Sequence, residues 1–166
     1  MATGPRYKVP FRRRREGRTD YRIRRKLLRN NGVRAVVRRS LKHTTVQFVA
    51  FGMEGDSVLA SAHSQELRSQ GWEHSCSNLP AAYLTGYIAG KKALEAGVER
   101  AVLDIGRSPP KKGGIMFAVL AGMLDAGLEL PHGEGVLPSE ERIQGGHISD
   151  ALQADFNSLK EKLEAE

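Results

Sequence analysis

This 166-residue chain has one cysteine, few aromatic residues and no long hydrophobic run. Cys76 cannot form a disulfide within the chain, which fits a reducing compartment. The longest apolar stretch, residues 79–90, is interrupted by Thr85 and falls well below the roughly 20 residues of a membrane span. The basic N-terminus precedes no apolar segment, so we expect no secretory signal and no membrane partner.

Acidic residues are almost missing from the first 42 positions, which hold sixteen Lys or Arg but only Glu16 and Asp20. This segment carries a formal charge of +14, while the rest of the chain carries −7. Such a concentration of cations favours a polyanionic partner, because neutralised phosphates release condensed counterions. Arginine dominates lysine here, and arginine suits bidentate phosphate contacts and stacking on bases. Tyr7, Phe11 and Tyr21 lie between these cations, and each ring could stack on an exposed base or equally anchor the arm to the core.

The pattern divides the chain into three parts: a basic arm at 1–18, a globular domain at 19–130 and a C-terminal extension at 131–166. The arm has little to bury, so we expect it to be extended and disordered until it binds its target. Thr19 is the predicted N-cap of a basic helix that reaches about Asn30.

Alternating apolar and polar residues predict strands at 33–39, 43–51 and 57–62. A helix follows, beginning at Asn78 and ending at Gly97, then a strand at 100–105, a helix at 115–126 and a short strand at 128–130. The order βββαβαβ predicts an α/β fold with a mixed sheet and helices on both faces. In the last helix, Leu152, Phe156, Leu159 and Leu163 form an apolar stripe that must dock on this domain or on a partner.

Catalytic and metal-binding patterns are weak. Lys111 and Lys112 precede Gly113 and Gly114, which is the reverse of a phosphate-binding P-loop. Cys76 lies near two histidines but has no second cysteine to form a zinc knuckle. Asp104 ends a central strand, where a metal-dependent nuclease would place one carboxylate among several. We therefore expect no enzyme activity, no cofactor, no metal and no small-molecule substrate, with a ribonuclease kept as a minor alternative.

Four segments resemble a known family: FRRRREGRTDYRIRRKLL at 11–28, RAVVRRSLKHTTVQ at 34–47, NLPAAYLTGYIAGKKAL at 78–94 and FAVLAGMLDAGLELPHG at 117–133. They are similar to the large-ribosomal-subunit protein that carries 5S ribosomal RNA, numbered eighteen in bacteria and archaea and five in eukaryotes. The segment after Pro131 resembles the archaeal and eukaryotic branch, and its short length points to the archaeal form.

The resemblance implies a structural, cytoplasmic protein with a fold like the ribonuclease H relatives of the translation machinery. It would bind 5S RNA and attach it to the large-subunit RNA in the central protuberance, beside other ribosomal proteins. A chromosomal DNA-binding protein remains the main alternative, because cations alone do not identify a nucleic acid.

The predicted RNA-binding residues are the cations, aromatic rings and hydroxyl or amide side chains of the arm, the first helix, the first two strands and the 106–114 loop. They are Arg6, Lys8, Phe11, Arg12, Arg13, Arg14, Arg15, Arg18, Tyr21, Arg22, Arg24, Arg25, Lys26, Arg29, Arg34, Arg38, Arg39, Lys42, His43, Thr44, Thr45, Gln47, Arg107, Lys111 and Lys112.

Overall fold

The computed structural model describes residues 4–29 and 32–165. In chain order its elements are α1 (Arg12–Arg15), α2 (Tyr21–Leu27), β1 (Val33–Arg39), β2 (Thr44–Ala50), β3 (Ser57–His63), α3 (Glu66–Ser69), α4 (Leu79–Glu95), β4 (Ala101–Asp104), α5 (Ile115–Asp125), α6 (Glu140–Gln144) and α7 (Asp150–Ala165). Among these described residues, none of the helices combines the length and apolar content needed to cross a bilayer.

The four strands form one mixed sheet in the order β3-β2-β1-β4. β1 pairs antiparallel with β2, and β2 with β3, as expected for strands joined by short turns. β4 pairs in parallel with β1 after the crossover through α4. The pairing of β2 with β3 shifts between Phe48 and Val49, where Leu59 of β3 is the extra residue. Phe48 and Val49 are both buried, so the simple burial alternation predicted for β2 stops there. The three predicted strands of the meander are confirmed to within a residue or two at each end.

α4 begins where the sequence predicts, with the Asn78 side chain accepting a hydrogen bond from the Ala81 N–H at 2.9 Å. It lies across β2 and β3 and packs along its length against α5. The helix backbones approach closely because glycines face them: a Cβ on Gly86 would overlap the Val119 carbonyl, and one on Gly122 would overlap the Tyr83 carbonyl. The small-residue stripe predicted on α4 is therefore the surface against which α5 packs.

Only one face of the sheet is covered by the long helices. Ala35, Val37, Val46 and Phe48 on that face are fully buried in the core with α4. The opposite face meets α2 at one corner, where Arg24 pairs with Asp56. The prediction of helices on both faces was therefore wrong in extent, because the opposite face carries polar and charged side chains that stay hydrated or paired.

The C-terminal helix α7 docks on its own domain, which decides between the two predicted alternatives. Its stripe is buried, and the Phe156 ring lies 5.5 Å from the Tyr83 ring of α4. Burial, followed by the hydrogen bond to Asp125, raises the pKa of the Tyr83 hydroxyl above its usual range. His74 also contacts Asp155 at 2.8 Å. The apolar stripe is thus used within the chain.

Two local predictions needed correction. Residues 128–130 form no strand of the sheet; they make a single parallel bridge between Arg100 and Glu129, because the segment leaves the sheet after one pair. The fully buried Trp72, which follows α3, was not predicted to be in the core. Its indole N–H donates to the Ser75 carbonyl at 3.2 Å, so one ring fills the space under this loop without leaving a polar atom unpaired.

Candidate nucleic-acid interface

The arm contains one helical turn where the sequence predicts an extended course. Residues 12–15 form α1, with its four arginines exposed. Glu16 accepts from Arg18 at 3.0 Å and lies 3.9 Å from Arg12, which offsets part of the repulsion among them. The Arg107 guanidinium donates to the Gly17 carbonyl and joins the arm to the 106–114 loop. The disorder predicted for the free arm stays a prediction.

α2 begins one residue later than predicted, because Asp20 and not Thr19 is its N-cap. The Asp20 carboxylate accepts from the N–H groups of Arg22 at 2.9 Å and Ile23 at 3.3 Å. Thr19 instead accepts a hydrogen bond from Arg13 at 3.0 Å. α2 ends at Leu27, before the predicted end at Asn30, which lies outside the described residues. The cap fixes the direction in which the α2 cations point.

The Asp20 cap makes the start of α2 sensitive to acid. Its backbone hydrogen bonds from Ile23 and Arg22 lower the pKa of Asp20 below its ordinary value of 3.8. A lowered folded-state pKa adds stability above the unfolded value, and this is lost as pH falls through the lower folded value. We expect the protection factors of the α2 amides, which compare each exchange rate with that of an unstructured peptide at the same pH, to fall below about pH 4. Asp20→Asn, which keeps a cap, should remove this pH dependence, and Asp20→Ala should lower the protection factors at every pH; protection factors of the wild type that do not change with pH would contradict the role of the cap.

The predicted aromatic contacts lie on the outside of this unit. The Phe11 ring is 81% exposed, and its centroid lies 6.5 Å from that of Tyr21, which is 38% exposed. Neither ring contributes to the core, so both remain available for stacking. Most of the predicted cations of the arm and α2 are exposed too: Arg6, Lys8, Arg12, Arg13, Arg14, Arg15, Arg18, Arg22, Arg25, Lys26 and Arg29. Arg24 is the exception, since it is partly buried against Asp56 at 2.7 Å.

Strand β1 separates its predicted cations into two roles. Arg39 is exposed, and Arg38 is half-exposed while it pairs with Asp104 at 3.2 Å. Arg34 is only 3% exposed, because Asp56 and Asp104 bind its guanidinium at 2.7 and 3.0 Å. A guanidinium held between two carboxylates cannot reach a ligand, so the prediction that Arg34 contacts RNA directly is corrected.

The β1–β2 turn and β2 hold the remaining predicted residues of the sheet. Lys42 is exposed, and Thr45 and Gln47 are half-buried on the face that lacks the long helices. The His43 ring contacts the Ser64 hydroxyl at 3.2 Å and lies 4.9 Å from the His63 ring. Thr44 is fully buried beneath this cluster, so it cannot contact RNA as predicted. Its side chain lies on the core face of the sheet.

The 106–114 loop brings the distant cations together. Lys111 and Arg39 line an open cleft of about 630 Å³, together with Ser40, Ser108 and the first residues of α5. The first N–H groups of a helix lack acceptors within the helix, and its dipole favours anions there. A second groove, of about 470 Å³, is lined by Arg14, Arg22, Arg25 and Arg107. Lys112 is exposed beside Lys111. The loop is therefore the meeting point of the arm, α2 and the end of β1.

Asp104 does not have the free carboxylate that a nuclease would need. Its oxygens accept from Arg34 at 3.0 Å, Arg38 at 3.2 Å and the Gly106 N–H at 2.8 Å. Two guanidinium groups thus occupy the space that a cation would take. Within residues 4–29 and 32–165, no three His, Cys, Asp or Glu side chains are placed to hold a metal ion. The Asp104 carboxylate is therefore engaged by these donors.

Sequence reasoning missed two features of the surface. Leu41 is 94% exposed at the 630 Å³ cleft, where it adds an apolar contact beside the cations. Asp56 was not singled out, although it joins α2 to the sheet. The position of Leu41 between Ser40 and Lys42 was a usable signal for the apolar contact. Nothing in the local sequence indicates the role of Asp56.

Comparisons with known proteins identify the family to which the chain is similar. Residues 5–99 match the family described as Ribosomal large subunit proteins 60S L5, and 50S L18. The Large ribosomal subunit protein uL18 of Methanothermobacter thermautotrophicus is 55% identical over 164 residues, which cover 98% of this chain and 85% of that protein. The proteins of the same name from Haloarcula marismortui and Korarchaeum cryptofilum are 54% and 52% identical, over 90% and 100% of this chain and 80% and 81% of theirs.

These relatives come from archaea, which agrees with the resemblance to the archaeal form. Proteins of the matched family are structural constituents of the cytoplasmic ribosome and not enzymes, which agrees with the paired state of Asp104. The family match spans more than half of the chain, and the relatives are similar over nearly all of it. The chain therefore belongs to the family of large-subunit ribosomal proteins 60S L5 and 50S L18.

Proposed function

We propose that this protein binds 5S ribosomal RNA and attaches it to the large-subunit ribosomal RNA in the central protuberance. The observation that carries the proposal is the convergence of the arm, α2, the end of β1 and the 106–114 loop into one cationic surface. Within residues 4–29 and 32–165, most cations of the arm and α2 are exposed. Family membership supports a ribosomal RNA as the polyanion.

The two parts of the surface suit different RNA features. The open cleft beside Arg39 and Lys111 belongs to the folded domain and offers a fixed set of donors. The α1–α2 segment consists of two short helices rich in arginine, which suits a groove between RNA segments. RNA helices are recognised mainly by shape, phosphates and 2′-hydroxyls, while unpaired bases stack on rings such as Phe11. We assign the folded domain to 5S RNA and the arm to the junction with the longer RNA.

The proposal includes the three-part organisation, with an arm at 1–18, a domain at 19–130 and an extension at 131–166. The antiparallel β1–β2–β3 meander with a parallel β4 beside β1 supports a topology like that of the ribonuclease H relatives in the translation machinery. Neighbouring ribosomal proteins complete the site. The exposed polar face of α7 is one surface that the domain leaves open to them.

The test is competition for the protein between 5S RNA and duplex DNA of similar length at 150 mM salt. We expect 5S RNA to bind at least about tenfold more tightly, because an A-form helix and unpaired loops match the surface better than a regular duplex does. If binding uses six to ten phosphate contacts, raising the salt from 50 to 200 mM should also lower the affinity by about 10³- to 10⁵-fold. Filter binding over a salt series measures both quantities.

A matched control is an unrelated structured RNA of the same length as 5S RNA. Equal affinity for all three nucleic acids would contradict specific 5S binding and favour the chromosomal alternative. Equal affinity for the two RNAs, with weaker DNA binding, would keep an RNA-binding function and remove 5S RNA as its target.

A further inference from the structure

Two carboxylates lie inside the most basic part of the molecule. Asp56, immediately before β3, accepts from Arg24 of α2 and from Arg34 of β1, each at 2.7 Å. Its side chain is 25% exposed, and that of Arg34 is 4% exposed. One carboxylate oxygen therefore joins α2 to the sheet across a partly buried contact.

Asp104 continues this network on the other side of Arg34. It binds the second Arg34 Nη at 3.0 Å, the Arg38 Nη2 at 3.2 Å and the Gly106 N–H at 2.8 Å, while Arg38 Nη1 donates to the Asp104 carbonyl at 2.7 Å. The Arg34 guanidinium is thus a buried bridge between two acids. Gly106 and Arg107 follow, and Arg107 holds the arm at Gly17. The network runs without a break from α2 to the arm.

α2 has little apolar burial to hold it in place. It has seven residues and none of them is buried, and Ile23 on its predicted apolar stripe is 45% exposed. A helix this short is marginal in water without tertiary contacts. Repulsion among its basic side chains opposes docking on a surface that already carries Arg34 and Arg38. The negative charge of Asp56 and Asp104 is what makes that docking favourable.

The geometry points to Asp56 and Asp104 as positioning residues of the RNA interface, which hold α2 and the arm in a binding-ready placement. Arg24 and Arg34 are then structural links and not phosphate contacts. This inference rests on the proposed RNA-binding function. It assigns a role to acidic residues that simple charge attraction would count as unfavourable for binding a polyanion.

That difference in sign supplies the test, with the Asp56→Asn variant of the full chain and 5S RNA as the probe. Removal of an acidic charge near a phosphate-binding surface should strengthen binding if charge alone matters. We expect binding to weaken by about three- to tenfold instead, with an unchanged salt slope, because every phosphate-contacting cation is still present.

The matched control is Glu54→Gln, which replaces an exposed acid on the same turn that makes no ion pair within the described residues. The affinity of this variant for 5S RNA should be unchanged or slightly higher. Asp56→Asn binding as tightly as wild type, or more tightly, would overturn the inference.

Hydrogen exchange of the free protein tests the positioning without any RNA. Asp56→Asn and Arg24→Gln should both speed exchange at α2 by about tenfold while the amides of α4 and α5 stay protected. Arg25→Gln, which removes a neighbouring exposed cation, should leave α2 unchanged. Unchanged α2 exchange in both test variants would refute the anchor, whereas failure to bind 5S RNA with the expected exchange pattern would count against the proposed function alone. Arg24→Gln keeps the Arg34–Asp56 pair, so the exchange measurement on this variant does not depend on whether the fold tolerates Asp56→Asn.

Discussion

Deletion of residues 1–30 is expected to lower RNA affinity by about 10³-fold or more near physiological salt, while the domain stays folded. The segment holds twelve of the 26 Lys and Arg residues and only two acids. All the buried hydrophobic residues of the described chain lie at or after Ala35, so the core does not need this segment. The salt slope should become shallower by about 0.7–0.9 for each phosphate contact removed. Filter binding over a salt series, with circular dichroism melts of the same samples, makes the measurement.

A full-length variant distinguishes the effect of removing charge from the effect of removing residues. Replacement of the four α1 arginines by glutamine should reduce the salt slope by at most about 3 to 3.6 and leave the melting temperature unchanged, since α1 buries nothing. The control replaces four exposed cations outside the proposed surface with glutamine. They are Arg68, Arg100, Arg142 and Lys162. Equal losses in both variants, or a truncated protein with the wild-type affinity and slope, would show that the arm has no special role.

Gly122→Ala is expected to destabilise the domain by about 3 kcal/mol, the upper part of the range for overpacked cores. The added Cβ would overlap the Tyr83 carbonyl oxygen and lie 2.8 Å from the Tyr87 nitrogen, and both atoms belong to the α4 backbone. A helix backbone cannot move aside as a flexible side chain can, so α4 and α5 must separate. For a domain of this size the melting temperature should fall by about 10 °C.

The matched control for this change is Gly133→Ala in the exposed loop before α6. Its nearest contact would be the Val136 side chain at 4.0 Å, so stability should stay within about 0.5 kcal/mol of wild type. Differential scanning calorimetry of the two variants gives the comparison. A Gly122→Ala protein that melts with the control would mean that the α4–α5 approach is looser than the structure shows.

Much of the fold was predictable because its causes are local. Period-two alternation located the meander strands, and Asn78 with Gly97 located the ends of α4. The spacing of Ala82, Gly86 and Gly90 indicated a close approach, which α5 occupies. The failures came where neighbours along the chain do not decide the outcome. The register shift at Phe48 and the single bridge at Glu129 depend on which strand lies alongside.

The same distinction applies to the candidate interface. Exposed cations of the arm needed only composition to be predicted, since nothing nearby could bury them. Arg34 belonged to the same basic pattern and was wrongly given the same role. Its partners Asp56 and Asp104 lie 22 and 70 positions away, and local sequence says nothing about that approach.

By itself, the sequence determined that a cation-rich N-terminal segment precedes the residues that form the hydrophobic core. Charge and hydrophobic periodicity can both be read directly from the order of the residues. Only the tertiary structure decided which arginines remain free for phosphate and which are held by carboxylates. The physical reason is that pairing depends on distance in space. The Arg34 charge can be buried because Asp56, just before β3, and Asp104, at the end of β4, both lie within 3.0 Å of its guanidinium.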